Sequence, residues 1–187
     1  MGRPHDSGRR TRLIEAAERL FGHYGAAKTT MQDIAKAART SVGSVYNEFA
    51  SKEAILGALA GHHLDRVLQR MVEAGGDADP ESGLRAMFHA RTDAFLELRE
   101  CSAHGREMVG GFCLATREAY EAFARSERAL LDQQLRRITP DAPSFAAAAV
   151  QSATAAFAPP LCYEDDPERL RERLDAVLSI LLAGLRP

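Results

Sequence analysis

Thr40-Ser41-Val42-Gly43-Ser44 sets three hydroxyls and a glycine between Arg39 and Tyr46, with Lys36 before the stretch and Lys52 after it. Without a base to activate them, hydroxyls of this kind do not attack a substrate. They hold phosphates and base edges by hydrogen bonding and charge, and small side chains at the leading end of a helix let its backbone come close to both. Other reactive residue types in the chain fail on spacing. His62 and His63 are neighbours, and on a helix adjacent side chains diverge by roughly 100°, too far to share one ion. Cys101, Cys113 and Cys162 are an odd number at long intervals, unlike a disulfide framework or a zinc site, so reduced thiols are expected. His104-Gly105-Arg106-Glu107 carries acid–base types, but no nucleophile, base and orienting group accompany it and no phosphate-binding loop is present. The expectation is a binding protein with no enzymatic activity, no catalytic residue, no metal and no cofactor.

What must position Thr40 to Ser44 is a pair of short helices joined by a tight turn. Thr30-Met31-Gln32-Asp33 has the capping-box pattern, with Met31, Ile34, Ala35 and Ala38 facing inward behind it, and Thr40-Ser41 offers the cap of the next helix, which runs through Phe49. A helix before them carries Leu13, Ile14, Ala17, Leu20 and Phe21 on one stripe and ends in Gly22-His23-Tyr24-Gly25. Ser51 caps a long helix from Lys52 to about Glu73. Further helices are expected over Glu81 to Arg99, one or two within Ser102 to Ile138, Ser144 to Phe157, and Pro167 to Leu185, with breakers at residues 139–143 and at Pro159-Pro160. The reading is all-α, about nine helices, with a head over residues 1–50 and a body over residues 51–187.

Charge divides the chain the same way. Residues 1–52 hold 6 Arg and 3 Lys against 2 Asp and 3 Glu, a net of +4, and the remainder is −6. All three lysines, Lys28, Lys36 and Lys52, lie in the head, as they would if it met a polyanion. No stretch is long and apolar enough for a membrane span, and Met1 to Arg10 has no apolar run of a secretory signal behind it, so a cytoplasmic protein is expected.

The segment Ile34 to Leu56 resembles the head of TetR-like (TetR/AcrR) transcriptional regulators. It has Ile34-Ala35, the Ser41-x-Gly43 ahead of Tyr46-x-x-Phe49, and Ser51-Lys52-Glu53, and the resemblance extends over about residues 9–60. It implies a three-helix helix-turn-helix head that reads a DNA operator, most simply as a ligand-released repressor. Carried over by position, it sets Val42, Gly43, Tyr46 and Asn47 toward the major groove, with Gln32 reaching it from the second helix, and Thr30, Ser44, Tyr46 and Lys52 toward phosphates. A cation at a helix start opposes the helix dipole, which points independently to an anion beside Lys52. Thr40 and Ser41 belong to the same DNA-facing set. Periodicity alone would bury Val42, Val45, Tyr46 and Phe49 on one stripe. Arg39 stands where the family has glycine, at a turn that favours a left-handed backbone, and a phosphate contact would give it a reason to be there.

For the body, the resemblance implies that the last two long helices pair with their symmetry mates in a homodimer. Leu174, Val177, Leu178, Leu181 and Leu185 form a stripe that Ile180 and Leu182 widen, and Ala149, Ala153 and Ala156 would permit close helix approach. A small-molecule effector is expected among Met87, Phe88, Arg91, Phe95, His104, Met108, Phe112 and Tyr120, where apolar and polar side chains mix densely. The expected partners are double-stranded operator DNA, a second copy of the chain and that effector, with no membrane. The alternatives are a sequence-independent architectural DNA binder, and a helical carrier or enzyme with a vestigial head.

Overall fold

The computed structural model describes residues 7–76, 79–100 and 114–185. Among them are eight α-helices, two 3-10 turns and no strand, so the fold is all-α. The head comprises α1 (Ser7–Tyr24), α2 (Met31–Ala37) and α3 (Val42–Glu48). The body comprises α4 (Lys52–Ala74), α5 (Pro80–Glu100), α6 (Leu114–Ile138), α7 (Ala146–Ala153) and α8 (Pro167–Leu185). About nine helices were expected. The alanine-rich helix is shorter than its expected span because it stops at Ala153, where the Thr154 hydroxyl donates to Val150 O at 2.9 Å, and a 3-10 turn, Ala155–Phe157, follows.

Short-range chemistry explains the ends of the head helices. Gly25 takes φ 82°, which lets the chain leave α1 without a side-chain clash. Thr30 forms the capping box of α2, its hydroxyl accepting from Asp33 N at 3.2 Å while Asp33 Oδ2 accepts from Thr30 N at 2.9 Å. Ser41 caps α3 by accepting from Ser44 N at 3.1 Å, and Ser51 caps α4 by accepting from Ala54 N at 3.3 Å. Asp79 and Asp166 do the same for α5 and α8, each accepting from two first-turn amides.

Two apolar clusters divide the interior, and α4 belongs to both. The smaller gathers Leu13, Ala17 and Phe21 of α1, Met31, Ile34 and Ala35 of α2, Val45 and Phe49 at α3, and Ile55 and Leu59 from the first turns of α4. The larger takes Leu64, Val67 and Met71 from the rest of α4, with α5, α6, α7 and α8 around them. Full burial of a side chain such as Phe21 or Leu59 contributes about 1.5–3 kcal/mol, so the head is fastened to the body's longest shared helix by its own core. Helix α6 lies so close to α4 that a Cβ on Gly57 would stand 2.5 Å from the Ala115 carbonyl oxygen.

The expected dimer stripe divides in two. Leu174 and Leu178 are fully buried inside their own chain, in register with Leu170 and Leu182, and Val177, Leu181 and Leu185 pack against the same core. Leu174 and Leu178 are thus committed to the single chain, whereas Val177, Leu181 and Leu185 keep part of their surface exposed. What α8 leaves outside is Ile180, 73% exposed, with Ala176, Ala183 and Gly184 at helical spacing around it. On α7, Ala149 and Ala153 are exposed and share a face with Phe145, 68% exposed, whereas Ala156 lies beyond the helix and is half-buried.

Candidate functional site

Helix α3 has an inner and an outer face. Val45 and Phe49 anchor it in the head core, and Val42 is half-buried against the same cluster. Gly43, Tyr46 and Asn47, at spacings of three and four, stand on the open side, Tyr46 being 54% exposed. The stripe that would have buried Tyr46 with Val45 is thus resolved outward for Tyr46 and inward for Val42. A Cβ on Gly43 would meet nothing nearer than the Ser41 hydroxyl at 3.9 Å, so no packing inside the chain requires glycine there. The space it leaves benefits whatever approaches from outside.

The turn into α3 is a Schellman closure. Thr40 N donates to Ala35 O at 2.9 Å and Arg39 N donates to Lys36 O at 3.2 Å, which places Arg39 at the left-handed position, φ 54°. The sequence expectation for that residue's backbone is met, and its side chain is exposed. Gln32, on the outer face of α2, is exposed as well, and Thr40 is half-buried. The hydroxyls have internal work: Thr30 Oγ1 donates to Asp33 Oδ2 at 2.6 Å, and the Ser41 and Ser44 hydroxyls lie 2.9 Å apart. Hydrogen bonds from Thr30 to the Asp33 side chain hold that carboxyl below its ordinary value, so it stays ionised at the positive end of α2.

Lys52 differs from expectation. Its ammonium donates to Ala26 O at 2.6 Å and Thr29 O at 3.1 Å, tying the α1–α2 connection to the start of α4. Those carbonyls answer the charge, and no outside anion is needed to explain a lysine at that helix end.

In the body, Arg91, Phe95 and Tyr120 line a cleft of about 800 Å³ among α5, α6, α7 and the chain that follows α7. Met87 and Phe88 do not line it. Both are fully buried in the larger core, where their volume fills space between helices. His104, Met108 and Phe112 lie outside the described residues. Sequence reasoning missed the rest of the cleft, including Phe123, Glu127, Gln151, Pro159, Pro160 and Leu161. One of these left a signal: Glu127 falls four residues from both Phe123 and Leu131, a carboxylate on an apolar stripe, and Arg91 sits likewise between Met87 and Phe95. Arg91 Nη1 donates to Glu127 Oε1 at 2.6 Å, with both residues almost wholly buried. Burial pushes the nearby Cys162 thiol up to about 12, so it remains protonated and unreactive.

Comparison with known proteins is consistent with this division. Residues 13–59 match the family described as bacterial regulatory proteins, tetR family. The repressor KstR2 of Rhodococcus jostii is 44% identical over 59 residues, 32% of this chain and 29% of that protein. The repressor Rv1474c of Mycobacterium tuberculosis is 26% identical over 180 residues, 92% of each chain. SmeT of Stenotrophomonas maltophilia, solved with triclosan, superposes with TM-score 0.63 at 21% identity, over 95% of this chain and 91% of that one. The aligned part spans less than half the length of several curated relatives, KstR2 among them, so their likeness is chiefly one of heads.

Proposed function

This chain belongs to the TetR family of bacterial regulatory proteins, and from that premise we propose that it is a homodimeric repressor that occupies a palindromic operator until a small molecule releases it. The observation that carries the reading is α3: Val45 and Phe49 hold it on the head core while Gly43, Tyr46 and Asn47 remain outside, the arrangement a groove about 12 Å wide accepts. Gln32 reaches the same groove from α2. Arg39, exposed at the turn, and the hydroxyls of Thr30, Thr40, Ser41 and Ser44 meet the sugar-phosphate chain beside it.

Function divides near residue 50, although the first turns of α4 complete the head's core. Two heads must reach half-sites a whole number of DNA turns apart, so α7 and α8 pair with a second copy through Phe145, Ala149, Ala153 and Ile180. The effector enters the cleft at Arg91, Phe95 and Tyr120. SmeT carries triclosan in a fold of this kind, which supports a ligand for the body. Tyr120 touches both apolar clusters, so a ligand beside it can favour the head spacing that no longer fits the operator. Such a protein works in the cytoplasm, on the nucleoid.

The test is selection from a random duplex library, followed by footprinting of the enriched sequence. A palindrome protected at two half-sites on one face, a whole number of turns apart, is the expected result. Uniform retention of all sequences, with affinity set by salt alone, would overturn the proposal.

A further inference from the structure

We propose that the body cleft takes an uncharged, largely hydrocarbon molecule and discriminates against the same skeleton bearing a carboxylate or an ammonium group. The proposal rests on the reading of this cleft as the effector site and adds the chemical class of the effector.

Its walls are apolar: Phe95, Tyr120, Phe123, Ala158, Pro159 and Leu161. About 800 Å³ lies within the range of pockets that hold a drug-sized molecule. Among the described residues four charged side chains line the cleft, and each cation is answered by a carboxylate. Arg117 Nε donates to Glu121 Oε1 at 2.7 Å on the outer part of α6. On the inner side Arg91, 1% exposed, is joined to Glu127, 3% exposed.

The inner pair is saturated further. Arg91 Nη2 donates to Thr154 O at 2.8 Å, and Gln151 Nε2 donates to Glu127 Oε2 at 2.7 Å and to Ala124 O at 2.9 Å. Gln151 Oε1 in turn accepts from Arg128 Nη2 at 3.0 Å. A carboxylate entering this cleft would lose its water shell and find the guanidinium already engaged, with the Glu127 charge beside it. An ammonium would meet the reverse arrangement. Among the described residues either ion finds each charge in the cleft already paired, in a place of low polarity, which is where charge is least tolerated. An uncharged oxygen has no such difficulty, because it brings no charge to desolvate.

Three probes with one tail decide it: dodecanol, dodecanoate and dodecyltrimethylammonium, titrated calorimetrically into the full chain below their aggregation thresholds. Saturable binding of dodecanol is expected, with both ions weaker by at least roughly tenfold. Equal or tighter binding of either ion overturns the proposal, as does failure of all three to bind. Glu127→Gln supplies a second arm, because it keeps an acceptor for Arg91 but removes the charge that neutralises it. Dodecanoate is expected to gain at least roughly tenfold on dodecanol in that variant, and no relative gain in a folded variant counts against the proposal. If Glu127→Gln does not fold, the wild-type series decides alone. Operator release, measured separately by anisotropy, tells the two readings apart. Dodecanol bound with DNA retained sinks the effector role and leaves the ligand class standing; dodecanoate bound tightly with DNA released does the opposite.

Discussion

At the scale of single residues, two side chains are held against their own preferences. Arg39 occupies a left-handed turn position that glycine would fill at lower energy, by roughly 1 kcal/mol. Arg39→Gly is therefore expected to raise the unfolding free energy by about that amount in urea titration. If the guanidinium also meets a phosphate, the same substitution weakens operator binding and lowers the salt slope by about one. A more stable protein with an unchanged slope would remove the phosphate contact. His63 is the second case. It is buried on α4, its Nε2 3.3 Å from a Glu18 carboxylate oxygen of α1, and among the described residues neither ring nitrogen has a hydrogen-bond partner. Burial lowers its pKa below the ordinary 6.5; Glu18 pulls the other way and His62 and Arg66 reinforce the lowering. The folded state thus resists a proton that the unfolded state accepts. The stability this confers is complete above about pH 6.5 and is lost as pH falls toward the lowered folded value. His63→Leu should flatten that decline between neutral and mildly acidic pH in denaturant titrations, and a variant as acid-sensitive as wild type would place the cause elsewhere.

Element by element, the sequence was most legible where local chemistry decides. Thr30, Ser41 and Ser51 are side-chain caps whose effect is confined to a single turn, and each starts a helix where its pattern places one. The outer and inner faces of α3 were less legible, because Val42, Val45, Tyr46 and Phe49 share one stripe and only the position of the head core separates them. The internal tie of Lys52 was hidden for a related reason: its carbonyl partners lie 26 and 23 residues away in sequence. The cleft was hardest to see, since its walls come from α5, α6, α7 and a proline-broken turn that no single periodicity connects. Close approach between helices is similarly invisible in one dimension, and α4 offers a test. Glycine inside a helix normally costs about 0.5–1 kcal/mol relative to alanine. At Gly61 a Cβ would meet nothing within 4 Å, so Gly61→Ala should stabilise by that amount. At Gly57 the same methyl would press on the Ala115 backbone at 2.5 Å, so the sign should reverse, with a loss of about 1–3 kcal/mol. Equal effects of the two substitutions on the melting midpoint would contradict the α4–α6 contact.

For the molecule as a whole, the question is which surface joins two heads at a fixed spacing. Helix α8 spends one face on its own chain: Leu170, Leu174, Leu178 and Leu182 are all sealed in the larger core. Truncating one of them, as in Leu178→Ala, should cost about 2–5 kcal/mol of chain stability. The opposite face is different in kind. Ile180 is 73% exposed on a helix otherwise lined there by Ala176, Ala183 and Gly184, and small residues of this sort allow a second helix to come near. An aspartate at position 180 would meet water harmlessly in a lone chain but would be buried without a partner in a dimer. Ile180→Asp is accordingly expected to sediment as a monomer with a nearly unchanged melting midpoint, whereas Leu178→Ala melts earlier. Loss of pairing should also weaken operator binding by roughly 10²–10⁴, since the second head then binds from bulk solution and not from a tethered position. A variant at position 180 that remains dimeric and keeps its operator affinity would move the interface off this face of α8.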